Sequence, residues 1–366
     1  MPKSRGERVL LAVGLWSLLF WRVWTRLPRD HGLSAATAEA GEAAEIMSRA
    51  VEAIQACRES SGTPIDARTD LNRTGLIGVE ESPITTSLGQ IEAKRTTANP
   101  NFAAGIVRLF REAGVRRGET IALGASSSFP GLILAVLAAS RAMALRPLLI
   151  VSLGASNWGA NIPEWTWLEM ADCLRKAGII DVSPLAVSVG GEGDEGRDMS
   201  SEGRAFLREK IRAGGFQQIL EPDLPSDVRT RMDLFERTAA GAPIKAFVNV
   251  GGSWVNMGTD ADVLKLRPGV NREMTIPPPE KRGLIQEMAV RKIPVIHLLY
   301  VKGLAERFGL PWDPVPLPRP GEGLGPARPR AGGTVRTLVL GLYLAGVLAG
   351  AGLFLIDKGD RIFTFR

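Results

Sequence analysis

The chain has 366 residues, 45% of them hydrophobic and 23% charged, enough for one large domain or two ordinary ones with a true core, which sets wholesale disorder aside. Its net charge of +6 is spread along the chain and not gathered into basic blocks among aromatics, so nucleic acid is not an expected partner. With 2 cysteines and 2 histidines there is no basis for a zinc site or a disulfide framework, and neither a metal nor a cofactor is expected. One bridge between Cys57 and Cys173 and two unpaired thiols both remain open.

In chain order, a basic N-terminus (1–8) precedes an apolar stretch (9–27) carrying Trp16, Trp21, Trp24 and Arg22, which predicts a transmembrane helix. The competing reading, a cleaved signal peptide, rests on the small residues that follow. From Ser34 to Arg58 helix formers put Ile46, Ala50 and Ile54 on one stripe, and this helix leads into a body spanning 31–312. Two polar clusters come next, "DLNRTGLIG" and "EAKRTTANPN". The pattern then repeats: "GETIALGASSS", "RPLLIVSLGASNWGAN" and "PLAVSVGGEGDEG" each place an apolar strand and a small-residue loop before a helix, and "IKAFVNVGGSWVNMG" and "IPVIHLLYVKGLAERFG" continue the series. That rhythm predicts an α/β domain of Rossmann-like, three-layer type with a mostly parallel sheet, in unreadable strand order. Residues 313–335 are rich in Pro and Gly and predict a stalk. Residues 337–356 carry no charge and predict a second transmembrane helix, in which Gly346 and Gly350 suit close helix packing, before a short tail (357–366). The expected protein crosses the membrane twice, with the lipid bilayer as a partner and the body extracytoplasmic.

Strand ends of a parallel sheet share one edge, where open α/β sheets bind ligands. Gly124, Ser126, Ser127, Ser128, Gly154, Ser156, Asn157, Asn161, Gly251, Gly252 and Ser253 all fall at such loops. Glycine lets a ligand approach the backbone, and helix amino ends favour anions. Small polar residues also simply cap helices. "GASSS" partly matches a nucleophile elbow, with Ser126 as nucleophile, His297 as base and Asp194 or Asp172 orienting it. Asn72, Arg73, Lys94, Arg95 and Asn99, from the two polar clusters, are types that clamp carboxylates, unless they form a solvated or ion-paired loop. The acidic loop "GEGDEGRD" offers oxygen ligands but is more simply a solvated turn.

The phrases "DLNRTGLIGVEESPITTSLGQIEAKRTTANPNFAA", "GASSSFPGL", "SLGASNWGANIPEWTWLEM" and "FVNVGGSW" together resemble the bacterial poly-gamma-glutamate system proteins. The resemblance implies a membrane-anchored accessory of polymer synthesis or export, with poly-gamma-glutamate and the membrane components of the synthase as partners. It transfers no catalytic residue. No G-x-x-x-x-G-K-[ST] loop is present, so the chain is expected to accompany the polymerising ligase and not to be it. Two alternatives stand beside this reading: a serine-type hydrolase or transferase acting on the polymer, and a purely structural scaffold.

Overall fold

The computed structural model describes residues 5–26, 34–322 and 339–352. The chain divides into two units, one made of its two ends and the other running from Leu33 to Gly325.

In the first unit, α1 (Arg5–Arg26) accompanies a helix over residues 339–352. Among the described residues no helix is long and apolar enough to cross a membrane. This corrects the expected flanking transmembrane helices, and with them the two-pass arrangement. For α1 the physical reason is the length of its uncharged stretch. Between Arg8 and Arg22 only residues 9–21 are uncharged, roughly 20 Å of helix against a hydrocarbon core of about 30 Å. Of the expected 337–356 span, residues 339–352 are helical and the rest lies outside the described residues. The glycine spacing does pack helix on helix within this unit. A Cβ at Gly346 would meet the Trp16 ring at 2.5 Å, and one at Gly350 would meet Val13 at 2.5 Å. Phe20 stacks on Tyr343 with ring centroids 4.1 Å apart.

The second unit opens with α2 (Ser34–Ser60), α3 (Ile91–Thr97) and α4 (Asn101–Ala113). It continues through β1 (Thr120–Ser126), α5 (Pro130–Ala142), β2 (Arg146–Ser152), α6 (Trp167–Lys176), β3 (Ala186–Ser188), α7 (Ser201–Ala213) and α8 (Leu224–Ala239). Then follow β4 (Ile244–Val250), α9 (Trp254–Met257), β5 (Gly269–Asn271), α10 (Leu284–Val290), β6 (Val295–Leu298) and α11 (Val301–Phe308). The six strands form one sheet in the order β3-β2-β1-β4-β6-β5. All neighbours are parallel except β5, which runs antiparallel to β6.

Every residue of β1 is buried, as a central parallel strand requires. Its side chains alternate between two cores. Ile121, Leu123 and Ala125 face α2, α4 and α5, through residues such as Met47, Phe102 and Leu134. Ala122 joins Phe235 of α8 and Leu284 of α10 on the other side. Helices therefore cover both faces, giving the three layers. The strand order reverses between β1 and β4, so a crevice opens at their carboxyl ends.

The described part of the expected stalk is packed chain. Arg95 holds Asp313 through two bonds of 2.7 and 2.5 Å, and Asn72 Nδ2 donates to the Pro314 carbonyl at 2.8 Å. The Asn101 amide donates to the carbonyls of Arg319 and Glu322 and accepts from Gly321 N–H. Those partners lie far away in sequence, which is why composition alone suggests a spacer. Residues 323–335 lie outside the described residues.

Cys57 on α2 is joined to Cys173 on α6 across a separation of 116 residues, with Cα atoms 6.1 Å apart. Such a bridge removes loop-closure entropy from the unfolded chain, so it contributes about 2–4 kcal/mol to stability. Cys57→Ser is expected to lower the urea unfolding midpoint to that of the reduced wild type. Equal midpoints for oxidised and reduced wild type would mean that the sulfurs are not joined in solution.

Candidate active site

The site grows from the ends of β1 and β2 and one further segment, residues 78–90. β1 delivers Ser126 to Ser128 before α5, and β2 delivers the loop 153–161 before α6. Residues 78–90 run alongside that loop. Gly78 N–H donates to Trp158 O, Trp158 N–H to Val79 O, Thr86 N–H to Ala155 O and Asn157 N–H to Ser87 O. Side chains complete the lacing: Asn157 Oδ1 accepts from Gly89 N–H at 2.9 Å, and Asn161 Oδ1 accepts from Val79 N–H at 2.9 Å while its Nδ2 donates to Thr85 Oγ1 at 2.9 Å. The segment is thereby fixed up to the start of α3, and α3 carries Lys94 into a cavity of about 430 Å³ at the carboxyl edge of the sheet.

Lys94 is 3% exposed. Its Nζ donates to the Ser128 carbonyl at 2.5 Å and to Ser156 Oγ at 2.8 Å, and it sits 3.5 Å from the centroid of the Phe129 ring. Among the described residues no carboxylate pairs with it. Burial without a counter-ion brings its pKa down to about 7, so the amine is half neutral near neutral pH. The serines around it are bonded to one another: Ser126 Oγ donates to Ser128 Oγ at 3.0 Å, and Ser156 N–H donates to Ser128 Oγ at 3.0 Å. Glycine is required beside them. A Cβ on Gly89 would lie 2.7 Å from Asn157 O and 3.1 Å from Ser156 Oγ, and one on Gly251, whose φ is 81°, would lie 3.0 Å from the Ser126 Cβ.

The cavity also takes in Ser253, Gly252, Gln90 and Asp198, with Trp254, Tyr300, Trp312 and Lys302 at its rim. Ser253 Oγ is buried and has no hydrogen-bond partner. The three aromatics are 42%, 58% and 38% exposed, unusual for side chains of that size. None of the three stands among the residues expected from the sequence. Trp254 and Tyr300 lie four and two residues beyond the ends of β4 and β6, so an aromatic in the turn after a buried strand is the signal that would have found them.

The structure does not bring Ser126, His297 and Asp194 together as a triad. His297 is 3% exposed, and its Nδ1 accepts from Asn249 Nδ2 at 3.0 Å. Asn249 Oδ1 accepts from Asn256 Nδ2 at 2.8 Å, and that amide also donates to the Gly124 carbonyl at 2.9 Å. This is a satisfied core histidine, and burial pulls its pKa down to about 4. Asp194 accepts from Arg231 at 2.7 Å and from Ser152 Oγ at 3.1 Å. Arg231 also pairs with Asp227, so a fully buried guanidinium holds two carboxylates. Asp172 pairs with Arg175 and Lys176 at the surface.

Most of the expected carboxylate clamps are already engaged. Arg95 is bound to Asp313, which raises its pKa, and Arg73 pairs with Glu59 at 2.8 Å on the surface. Asn99 is buried, its Oδ1 accepting from Asn101 N–H at 3.0 Å and its Nδ2 without a partner. Ser127 is buried behind the cavity, its N–H spent on Ser152 O, and a Cβ at Gly154 would meet Met199 Cε at 2.4 Å. In the acidic loop, Glu195 pairs with Arg197 at 2.8 Å and Asp198 accepts from Glu192 N–H at 2.8 Å. Among the described residues no group of three His, Cys, Asp or Glu side chains is placed to hold a metal ion.

Comparison with known protein families, curated proteins and solved structures finds no match to this chain.

His297 yields a pH test. Its folded pKa of about 4 lies below the unfolded value of 6.5, so between those values the unfolded chain binds the extra proton. Stability therefore rises as pH increases from 4 to 6.5, by up to about 3 kcal/mol from this group. His297→Gln is expected to flatten that slope in urea unfolding followed across this range. An identical slope in the variant would remove His297 as its source.

Proposed function

We propose that this protein binds a γ-linked glutamyl polymer in the carboxyl-edge cavity, as an accessory of poly-gamma-glutamate synthesis or export. The observation that carries this reading is the make-up of the cavity: exposed aromatic faces and Lys302 at the mouth, with serine hydroxyls and Lys94 within. A γ-glutamyl chain alternates backbone amides and methylene pairs with a carboxylate on each residue. Its methylenes suit Trp254, Tyr300 and Trp312, its carboxylates suit Lys302, and its amides suit hydroxyl donors. The resemblance of the long phrases around these loops supports the same class of polymer, and components of the synthase are the partners that an accessory implies. The Cys57–Cys173 bridge suits an oxidising compartment, in keeping with a body that meets an exported polymer.

Isothermal titration of the full chain with short γ-glutamate oligomers tests this. Binding is expected to weaken with added salt, because the charges at the mouth are screened. Trp254→Ala is expected to weaken binding about tenfold, the usual scale for an aromatic anchor. Equal affinity for γ-glutamate and for an uncharged polyamide would remove the carboxylate from the recognition, and absence of binding would sink the reading.

A further inference from the structure

We infer that Ser156 is a nucleophile and Lys94 its general base, and that the cavity cleaves an amide bond through an acyl-enzyme. The nucleophile assignment stands on the cavity geometry alone. The choice of a γ-glutamyl amide as substrate rests on the polymer reading given above.

Lysine can replace histidine as the base for a serine when it is held close and neutral. Both conditions have structural causes here. Lys94 Nζ lies 2.8 Å from Ser156 Oγ, and the Ser128 carbonyl 2.5 Å from Nζ takes one of its N–H bonds. In the neutral amine that carbonyl leaves the lone pair for the Ser156 hydroxyl. Burial to 3% exposure disfavours the ammonium, and the Phe129 ring face offsets that only in part. The charged side chains nearest in the fold do not restore it. Asp198 and Lys302 line the same cavity without bonding to Lys94, Arg95 on α3 is spent on Asp313, and Glu92 on the same helix makes no salt bridge to the amine. A lysine buried only for structure would ordinarily carry a carboxylate partner. This one has a hydroxyl.

The step balances without a co-reactant other than water. The Ser156 proton moves to Lys94 Nζ as the Oγ–C bond forms at the amide carbonyl. The tetrahedral intermediate expels the amine, the C–N bond breaks, and Lys94 returns the proton to the leaving nitrogen. Water then adds to the Ser156 ester, giving its proton to Lys94, and the C–Oγ bond breaks with that proton returning to Ser156. The products are a carboxylic acid and an amine. Ser253 Oγ, buried in the cavity with no partner, is the unspent donor for the substrate carbonyl.

The test begins with the full wild-type chain and a small fluorophosphonate probe, with the labelled peptide mapped by mass spectrometry. The label is expected on Ser156. Its rate is expected to rise tenfold per pH unit below about 7 and level off above, as Lys94 loses its proton. Lys94→Met is expected to slow labelling at least a hundredfold, with circular dichroism and the unfolding midpoint reporting whether that variant folds. No label at pH 9, or a label on Ser126 or Ser128, would overturn the nucleophile, and that outcome is read on the wild type, whether or not the variant folds. Because the probe needs no polymer, labelling of Ser156 survives a failure of polymer binding. If Ser156 is labelled but γ-glutamate oligomers stay intact, the substrate class is overturned and the nucleophile stands.

Discussion

A lysine taken out of water without a carboxylate is the constraint around which the site is organised. Lys94 touches the turn after β1 through the Ser128 carbonyl, the turn after β2 through Ser156 Oγ, and the start of α5 through the Phe129 ring. Two separate turns of the chain, one running into α5, are thus referred to one nitrogen. Desolvation works against the charged form, while two hydrogen bonds and a ring face offset part of that cost. The result is an amine able to exchange its proton near neutrality, which an ion-paired lysine cannot do. The contrast lies one residue away. Arg95 has its aspartate and is fixed as a cation, whereas Lys94 has hydroxyl and carbonyl oxygens only.

The parallel sheet makes this possible by putting successive strand ends on one edge. β1 and β2 pair in register from Thr120 with Arg146 to Ser126 with Ser152, so the two serine-bearing turns leave the sheet at the same level. The helices that follow then pull the chain back across the faces, leaving the turns exposed to whatever packs on the edge. Here a further segment does so. Residues 78–90 bond to loop 153–161 from both backbone and side chains, and Asn157 and Asn161 act as pegs in that seam.

What is legible in the sequence follows from the range of the forces involved. Strands β1, β2, β4 and β6 and the helices between them show as apolar runs and turns, because local burial on both sheet faces demands them. β5 spans only Gly269–Asn271 and pairs antiparallel at the edge, so it has no run to show. Strand order depends on which faces meet and leaves no local trace. The loops at the sheet edge are legible as a set, and Ser128, Ser156 and Lys94 do meet there. Their roles are not legible. Arg73, Arg95 and Asn72 have the types of ligand clamps, and nothing nearby in sequence announces Glu59, Asp313 or Pro314 as their partners. His297 has the type of a general base, and only the fold reveals Asn249 beside it. At the N-terminal end the apolar composition is plain, but Arg22 cuts the uncharged stretch below a bilayer's thickness.

The Arg95–Asp313 pair shows how residues outside the cavity lining still shape it. It is bidentate and mostly buried, with side chains 11% and 18% exposed, and Asp313 N–H also donates to Thr96 Oγ1 at 2.8 Å. Both anchors sit on α3, the helix that carries Lys94. Trp312 precedes Asp313 directly and lines the cavity. The position of an aromatic at the mouth is therefore tied, through one ion pair and one hydrogen bond, to the helix that positions the lysine within. A bidentate pair is directional, so it fixes orientation as well as distance. Trp312 at the mouth and Lys94 within are thus tied to the same short helix, so a shift of α3 moves both.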